Sequence, residues 1–213
     1  LNVYNERLLR LLAETQIPKV FLDTSSLVAP DELNGDLLLM ESRTSVRRIT
    51  SHLLEQGRTL PGFIGDIGYA QSNRERYEGF CQALTDAGKK VDSSLCLTTP
   101  LGIDTYREEI DTFLSSLSRM PDAFVCASDY VACILMQLLE KRGLRVPEDV
   151  AVSGFDNNTE DLLAEHLTTV QVFNEELGAR LALQILYRIK YPNTPHEVTY
   201  LGTNVLYRDS TGD

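Results

Sequence analysis

The stretch PDAFVCASDYVACILMQLLEKRGLRVPEDVAVSGFDN, which runs from Pro121 to Asn157, decides the fold. It opens with a short apolar run, Ala123 to Ala127, typical of a strand buried on both faces of a parallel sheet. Apolar residues then recur at helical spacing as far as Gly143, which suits a left-handed helix cap. A second apolar run, from Val150 to Phe155, follows. The stretch therefore predicts a βαβ unit with a right-handed crossover.

Both strands of this unit stop at polar residues, the first at Ser128 and Asp129 and the second at Asp156. Two earlier predicted strands also end in aspartate, at Asp23 and Asp66. One such residue would more often be a helix cap, but the repetition forms a pattern. In open α/β sheets, ligands bind outside the carboxyl ends of the strands. The residues alone therefore predict a small polar ligand held by Ser128, Asp129 and Asp156.

Strands and helices alternate along the rest of the chain. The sequence predicts strands over residues 19–23, 37–40, 59–66, 91–99 and 167–172, and helices over residues 2–16, 44–56, 72–87, 104–117 and 174–190. A short helical turn over 161–165 and a terminal strand or hairpin over 197–208 complete the pattern. This alternation predicts an α/β fold with a largely parallel sheet.

Net charge and cysteine use limit the function. Lys+Arg 20 minus Asp+Glu 31 gives −11 at pH 7, which argues against nucleic-acid binding by this chain itself, since such binding relies on basic residues. The four cysteines form no C-x-x-C pair, so free thiols in a reducing compartment are favoured over disulfides or a metal site. No apolar stretch approaches the ~18 residues of a membrane span, and no signal-peptide pattern is visible.

The helix predicted to begin near Ser72 has two unusual features. Arg74 and Arg76 lie in its first turn, where the helix dipole disfavours cations. Pairing with nearby glutamates in solvent explains Arg74. For Arg76, a ligand-facing role is as well supported as such pairing, because Arg76 lies at the rim where the strand passes into the helix. Gly79 lies inside the helix, where it costs ~1 kcal/mol relative to alanine.

Residues for catalysis are hard to find. The motifs G-x-S-x-G, P-loop, G-x-G-x-x-G after a strand and H-E-x-x-H are absent from the sequence, and its three histidines are scattered. Paired carboxylates could perform acid–base chemistry, but they have no accompanying nucleophile or cofactor loop. Binding is therefore the better-supported role, and we predict no catalytic residue, cofactor or metal.

Several motifs in register carry a resemblance that covers nearly the whole chain. They read PKVFLD, SHLLEQGR, SNRERYEGFCQAL, PDAFVCASDYVA, GLRVPEDVAVSGFDN, LTTVQVFNEELGARLALQIL and LYRDST. In order and spacing they resemble the effector-binding core of the lactose-repressor/galactose-repressor (LacI/GalR-type) family of transcription regulators. The resemblance implies a periplasmic-binding-protein type I-like fold with two doubly wound parallel-sheet lobes. It also implies small effectors, usually sugars, that bind between the lobes and change the affinity for operator DNA.

The resemblance also implies a division of the chain. Residues 1–40 and 171–195 are expected in the N-terminal lobe, and residues 41–170 and 196–213 in the C-terminal lobe. The helix-turn-helix headpiece, the hinge and the first strands of the N-terminal lobe are expected upstream of Leu1, so that this lobe is incomplete. Operator DNA would then be bound only through that headpiece, and the isolated chain is expected not to bind it at physiological salt.

The family's ligand-contacting positions match seven residues of this sequence, namely Asp23, Ser72, Arg76, Ser128, Asp129, Asp156 and Asn174. Ring hydroxyls can donate to aspartate and accept from arginine, so these residue types suit a polyol. Two motifs depart from the family pattern, since ASD replaces the commoner AND and TLPGFIGD replaces I-x-x-I-x-G. The ligand therefore stays open as a sugar or a sugar phosphate, and as an inducer or a co-repressor.

Assembly and location follow from the same resemblance. The helix after Ser128 is apolar almost all round its first turns, so Cys133 and Met136 are predicted at a two-fold interface of a homodimer, with simple core packing as the alternative. A cytoplasmic location without membrane contact is expected. An extracytoplasmic sugar-binding protein of a transport system is the alternative function, but the free cysteines and the GLRVPEDVAVSGFDN motif favour the regulator. An enzyme on a similar sheet is the third and weakest hypothesis.

Overall fold

The structure is a computed structural model that describes residues 1–102, 104–158 and 165–212. Its α/β architecture has two lobes, each built on a parallel sheet, and this confirms the predicted fold class. The helical turn predicted over 161–165 falls almost entirely outside the described residues.

The first lobe is a three-stranded parallel sheet with the strand order β1-β2-β8. Its helices α1 and α6 pack against this sheet, and Leu9, Phe21, Leu33, Leu37 and Leu39 form its core. The bounds are Glu6–Ala13 for α1, Val20–Leu22 for β1, Asp36–Met40 for β2, Asn174–Lys190 for α6 and Val198–Leu201 for β8.

The second lobe has a four-stranded parallel sheet with the order β4-β3-β5-β6. The two-stranded antiparallel ribbon β7-β9 continues this sheet, since the Gly154 and Asp156 amides donate to the carbonyls of Thr168 and Val170 at 2.9 and 3.1 Å. The bounds are Arg43–Glu55 for α2, Pro61–Ile64 for β3, Gln71–Asp86 for α3, Cys96–Leu97 for β4, Tyr106–Ser116 for α4, Ala123–Cys126 for β5, Asp129–Lys141 for α5, Ala151–Ser153 for β6, Thr169–Gln171 for β7 and Asn204–Leu206 for β9.

The chain crosses between the lobes after β2, after β7 and again between β8 and β9. Residues 196–213 were expected as a whole in the C-terminal lobe, but β8 lies in the first lobe, because it pairs with β2 and the Glu41 amide donates to the Leu201 carbonyl at 2.7 Å. Only the part from β9 onward lies in the second lobe. A terminal strand or hairpin was predicted over residues 197–208, and the hairpin does not form, since β9 pairs with β7 and not with β8. The physical reason is that β2 is apolar on both faces, as a central strand is, and needs a partner on each edge.

A buried ion pair fastens α6 to the first sheet. Arg188 of α6 bonds both carboxylate oxygens of Asp36, which is 1% exposed, and Gln184 adds a hydrogen bond at 2.8 Å. The Glu197 amide donates to the same carboxylate at 2.9 Å, which fixes the entry to β8. Burial alone would raise the pKa of Asp36, but these hydrogen bonds hold it below its ordinary value.

The outer edge of β1 borders an apolar cavity. The amino group of Leu1 donates to the Val20 carbonyl at 2.8 Å, and the Leu22 amide donates to the Leu1 carbonyl at 2.7 Å. The cavity beside these bonds measures about 530 Å³, and apolar residues of α1, β1 and α6 line it, among them Leu12, Val20, Leu181 and Ile185.

A close approach of two helices explains the glycine inside α3. A Cβ at Gly79 would lie 2.2 Å from the carbonyl oxygen of Arg43, at the start of α2. At Gly178, inside α6, a Cβ would meet no atom within 4 Å from the described residues outside its own stretch of helix. The glycine at position 79 is therefore a packing requirement.

These two helical glycines give opposite predictions. Gly79→Ala should destabilise the fold by ~1–3 kcal/mol because the helices must separate. Gly178→Ala should stabilise it by ~0.5–1 kcal/mol because alanine loses less backbone entropy in a helix. Urea midpoints of both variants test this, and shifts in the same direction would contradict the packing assigned to Gly79.

Candidate ligand-binding cleft

The carboxyl ends of both sheets face a cleft between the lobes. β1 ends beside Asp23 in the first lobe, while β3, β5 and β6 end on the second lobe's side. Within the second sheet, the chain leaves β3 towards β4 on one side and returns to β5 on the other. Such a switch point opens a crevice where ligands of α/β proteins bind.

Asp23 connects the two lobes. It has a positive φ of 57°, an uncommon conformation for a residue other than glycine, and its carboxylate reaches across the cleft to the start of α3. Oδ2 accepts from the Ser72 hydroxyl at 2.6 Å and Oδ1 accepts from the Ser72 amide at 3.3 Å. Beside this contact, the Gln71 amide donates to the Thr24 carbonyl at 2.8 Å. Asp23 and Ser72, both predicted to contact the ligand, thus bond to each other across the cleft.

Arg76 lies at the bottom of the cleft and is 4% exposed. Its guanidinium donates to the Ala127 carbonyl at the end of β5 and to Asp156 Oδ1 at 3.5 Å. The guanidinium carbon lies 3.6 Å from the centre of the Phe155 ring, a cation–π contact. Arg76 Nε is buried and has no hydrogen-bond partner among the described residues. Arg76 is therefore fixed at the end of β5, beside Asp156, with two of its five N–H groups bonded.

Asp156 is the open carboxylate of the cleft. Its side chain is 43% exposed, and its φ of 109° is strained for a residue with a side chain. Burial raises the pKa of Asp156, and the nearby Arg76 opposes the shift. An accessible carboxylate beside a guanidinium can accept hydrogen bonds from ligand hydroxyls while Arg76 donates.

Asp129 is placed beneath the cleft surface. It is 2% exposed, and its two oxygens accept from the Thr169 hydroxyl at 2.6 Å and the Asn158 amide at 2.7 Å. A Cβ at Gly154 would lie 2.2 Å from its Oδ1, so the glycine of the GFD motif admits this carboxylate. The structure therefore gives Asp129 a structural role that joins α5, β7 and the loop after β6.

Ser128 and Asn174, which were also predicted to contact the ligand, lie at the N-terminal ends of α5 and α6. Ser128 is the N-cap of α5 and its Oγ accepts from the Val131 amide at 3.3 Å. Asn174 is exposed at the first residue of α6.

Arg74, expected to be a solvated arginine, instead reaches Ser26 of the first lobe at 3.4 Å, and its Nε is buried. The shape of the closed cleft, which the local sequence does not encode, accounts for this difference.

The sequence pattern does not predict the tyrosines at the mouth of the cleft. Tyr4 of the first lobe and Tyr69 of the second have ring centres 4.5 Å apart, and the Tyr4 hydroxyl donates to Asp23 Oδ2 at 3.5 Å. Tyr106 and Tyr130 make a second, edge-on pair at 5.7 Å. Tyr4 follows no predicted strand, so the pattern of strand ends could not reveal it. Aromatic walls with a few polar groups are typical of small-molecule sites.

A buried carboxylate lies behind Ser72. Glu75 accepts from the Tyr200 hydroxyl of β8 at 2.7 Å and from Gln71 at 3.1 Å. Burial raises the pKa of Glu75, these hydrogen bonds oppose the shift, and the nearby Asp23 adds to it. Tyr200 thus ties the first lobe to α3 beside the third crossing.

Comparison with known proteins assigns the chain to a family. Residues 50–211 match the family of periplasmic binding protein-like domains. The chain is 31% identical over 170 residues to the HTH-type transcriptional regulator DegA of Bacillus subtilis, covering 79% of this chain and 48% of DegA. A solved LacI-family structure from Sanguibacter keddieii has a TM-score of 0.77 at 27% identity, with 92% of this chain and 72% of that one covered. The chain belongs to the LacI/GalR family.

A second solved structure similar to this LacI/GalR chain contains a ligand. It is the transcriptional regulator CelR in complex with cellobiose, with a TM-score of 0.79 and 28% identity over 90% of this chain and 58% of CelR. The chain spans about half the length of the curated regulator DegA. Members of this family are transcription regulators and not enzymes.

Residues 1–102, 104–158 and 165–212 contain no group of three or more His, Cys, Asp and Glu side chains suited to a metal ion. None of the helices described has the length and apolar character that a membrane crossing requires. Cys81, Cys96, Cys126 and Cys133 take part in no disulfide within the described residues.

Asp129 gives this LacI/GalR core a pH-dependent stability. Burial raises the pKa of its carboxyl to about 6, and Asp156 adds to the shift against the hydrogen bonds of Thr169 and Asn158. Because the folded chain then binds the proton more tightly than the unfolded chain, the stabilisation is present below ~pH 4 and is lost as the pH rises through ~6.

Asp129→Asn should remove this dependence. An asparagine can accept from the Asn158 amide and donate to the Thr169 hydroxyl, so it mimics the protonated acid. Relative to the wild type, the variant should gain of order 2 kcal/mol between pH 4 and pH 7. Urea unfolding of both proteins across this range measures the difference, and a pH-independent difference would contradict the buried, raised-pKa carboxyl.

Proposed function

We propose that the chain is the effector-binding and dimerisation core of a DNA-binding transcription regulator, and that the effector is a small sugar held between the lobes. The observation that carries this proposal is the convergence of Asp23, Ser72, Arg76 and Asp156 at the carboxyl ends of two sheets. Carboxylates accept from ring hydroxyls and a guanidinium donates to them, so this set suits a polyol.

The regulator CelR, which was solved with cellobiose, supports a sugar as the class of effector. The convergence of groups from both lobes supports control by lobe closure, since a ligand that touches both lobes favours the closed arrangement. Operator DNA would be bound by a separate helix-turn-helix domain, as the description of DegA as an HTH-type regulator suggests. A cytoplasmic location follows from this role.

The sugar can be found by a thermal-shift screen of mono- and disaccharides, followed by titration calorimetry of each hit. The proposal expects at least one sugar that raises the melting temperature and binds saturably with one site per chain. Failure of every sugar, together with saturable binding of a purine or an amino acid, would contradict a sugar effector.

The homodimer is part of the same proposal. Cys133 is 4% exposed and belongs to the core of the second lobe, so packing within one chain already accounts for it. Met136 is only partly buried against that core and remains available to a partner. We therefore place Met136 at the interface and Cys133 directly beneath it.

Met136→Glu should weaken the dimer, because a carboxylate would be buried against an apolar partner surface. Sedimentation at tens of micromolar should show a dimer for the wild type and a monomer for the variant. Cys133→Asp is unsuitable for this test, since a charge in the core would unfold the chain. A wild-type monomer under these conditions would rule out the interface.

A further inference from the structure

The position at which an anionic ligand would bind is already filled by the chain itself. Helix α3 has 16 residues, its N-cap Ala70 provides no side-chain hydrogen bond, and no acidic residue lies in its first turn. The N-terminus of such a helix presents free amides and a positive dipole, which together bind phosphate and carboxylate groups. In this cleft the amide and hydroxyl of Ser72 bind the carboxylate of Asp23 from the other lobe.

The carboxylates nearest to this position are Asp23 and Asp156, with Glu75 and Asp129 buried behind them. Arg76 and Arg74 lie beside Asp156 and Ser26, while Arg43 and Arg208 act on Glu75 and Asp129. Arg76 is held by Asp156 and by the Ala127 carbonyl, and it stacks on Phe155. The pKa values of Glu75, Asp129 and Asp156 are all raised, chiefly by burial, and neighbouring carboxylates add to the shift at the first two.

We propose that the effector is an uncharged polyhydroxylated ring and that Asp23, bound at the N-terminus of α3, excludes phosphorylated and carboxylated sugars. This inference rests on the proposed function and narrows it to one chemical class. A ligand phosphate would have to displace Asp23 from Ser72 and then lie among carboxylates, where like charges at close range cost several kcal/mol. A neutral hydroxyl can instead donate to Asp156, whose side chain is 43% exposed beside the Arg76 guanidinium.

Matched pairs of ligands test the exclusion in the wild-type chain. Titration calorimetry at pH 7.5 compares each sugar found in the screen with its phosphate ester, for example ribose with ribose 5-phosphate or glucose with glucose 6-phosphate. The neutral sugar should bind at least about tenfold more tightly. A phosphate ester that binds as tightly as its parent sugar, or more tightly, would overturn the inference.

A gain of phosphate binding tests the role of Asp23 directly, with inorganic phosphate as the titrant. Asp23→Ser should free the N-terminus of α3, so this variant should bind phosphate saturably whereas the wild type should not. Asp156→Asn removes the same charge but leaves Asp23 in place, and it should gain no phosphate binding. Equal phosphate binding by wild type and Asp23→Ser would overturn the inference.

The two comparisons separate this inference from the proposed function. If neither sugars nor their phosphate esters bind the wild type, the sugar-effector proposal fails, and the inorganic phosphate comparison still decides whether Asp23 fills the anion position. If Asp23→Ser does not fold, the matched sugar pairs decide the exclusion in the wild type.

Discussion

Arg76→Met is expected to weaken effector affinity at least about tenfold. Each charge-assisted hydrogen bond to the ligand is worth ~1.5–3 kcal/mol, and 1.4 kcal/mol corresponds to a factor of ten. The change also leaves Asp156 without its cation in the cleft. Methionine is preferable to alanine because Arg76 is buried on Phe155, so that Arg76→Ala would lower stability as well as affinity. Titration calorimetry with a sugar from the screen measures the loss.

Arg47→Met is the matched control for this experiment. Arg47 lies on α2 and pairs with Asp86 at 2.7 Å, with half of its side chain exposed. Exposed pairs contribute ~0–1 kcal/mol, so this variant should keep both the stability and the affinity of the wild type. Arg74 is less suitable as a control, since it reaches Ser26 across the cleft. Equal affinities of wild type and Arg76→Met would remove Arg76 from the site.

Arg188→Met is expected to destabilise the chain by ~3–5 kcal/mol, because it leaves the buried carboxylate of Asp36 without its partner. The same change removes the donors to the Thr194 and Pro195 carbonyls, which order the turn before β8. The first lobe should therefore lose the packing of α6 and the pairing of β8 together. Urea unfolding measures the loss, and ligand affinity should fall with it because β8 leads into the third crossing.

Arg180→Met, at a half-exposed position on the same helix, controls for the loss of one arginine and should change stability by less than ~1 kcal/mol. In the double variant Asp36→Leu/Arg188→Met no buried charge remains unpaired, so much of the stability should return. An Arg188→Met variant as stable as Arg180→Met would contradict the structural importance of this pair.

Local patterns in the sequence predicted most of the fold. The apolar runs at 123–127 and 150–155 correspond to β5 and β6, with α5 between them, because both strands are buried on both faces. The strand predicted over 91–99 is reduced to Cys96–Leu97, since Asp92 accepts from the Ser94 amide at 3.0 Å and forms a turn there. The pairing of β8 with β2 depends on contacts between residues far apart in the sequence, and no local pattern encodes it.

Local patterns in the sequence also predicted part of the candidate site. Strand ends predict which residues lie at the rim of a parallel sheet, and Asp23 and Asp156 follow that rule. The rule does not distinguish a carboxylate that faces the cleft from one that faces the protein, and Gly154 directs Asp129 to the protein. Tyr4 and Tyr69 meet only when the lobes close on each other, so their contribution requires the tertiary structure.

The position of a bound sugar tests the central claim most directly. A crystal structure of the chain with the sugar selected by the screen should show the ring between the lobes, with hydroxyls within hydrogen-bond distance of Asp156 and Arg76 and with Asp23 still on Ser72. A sugar bound by one lobe alone, or in the apolar cavity beside β1, would contradict the account.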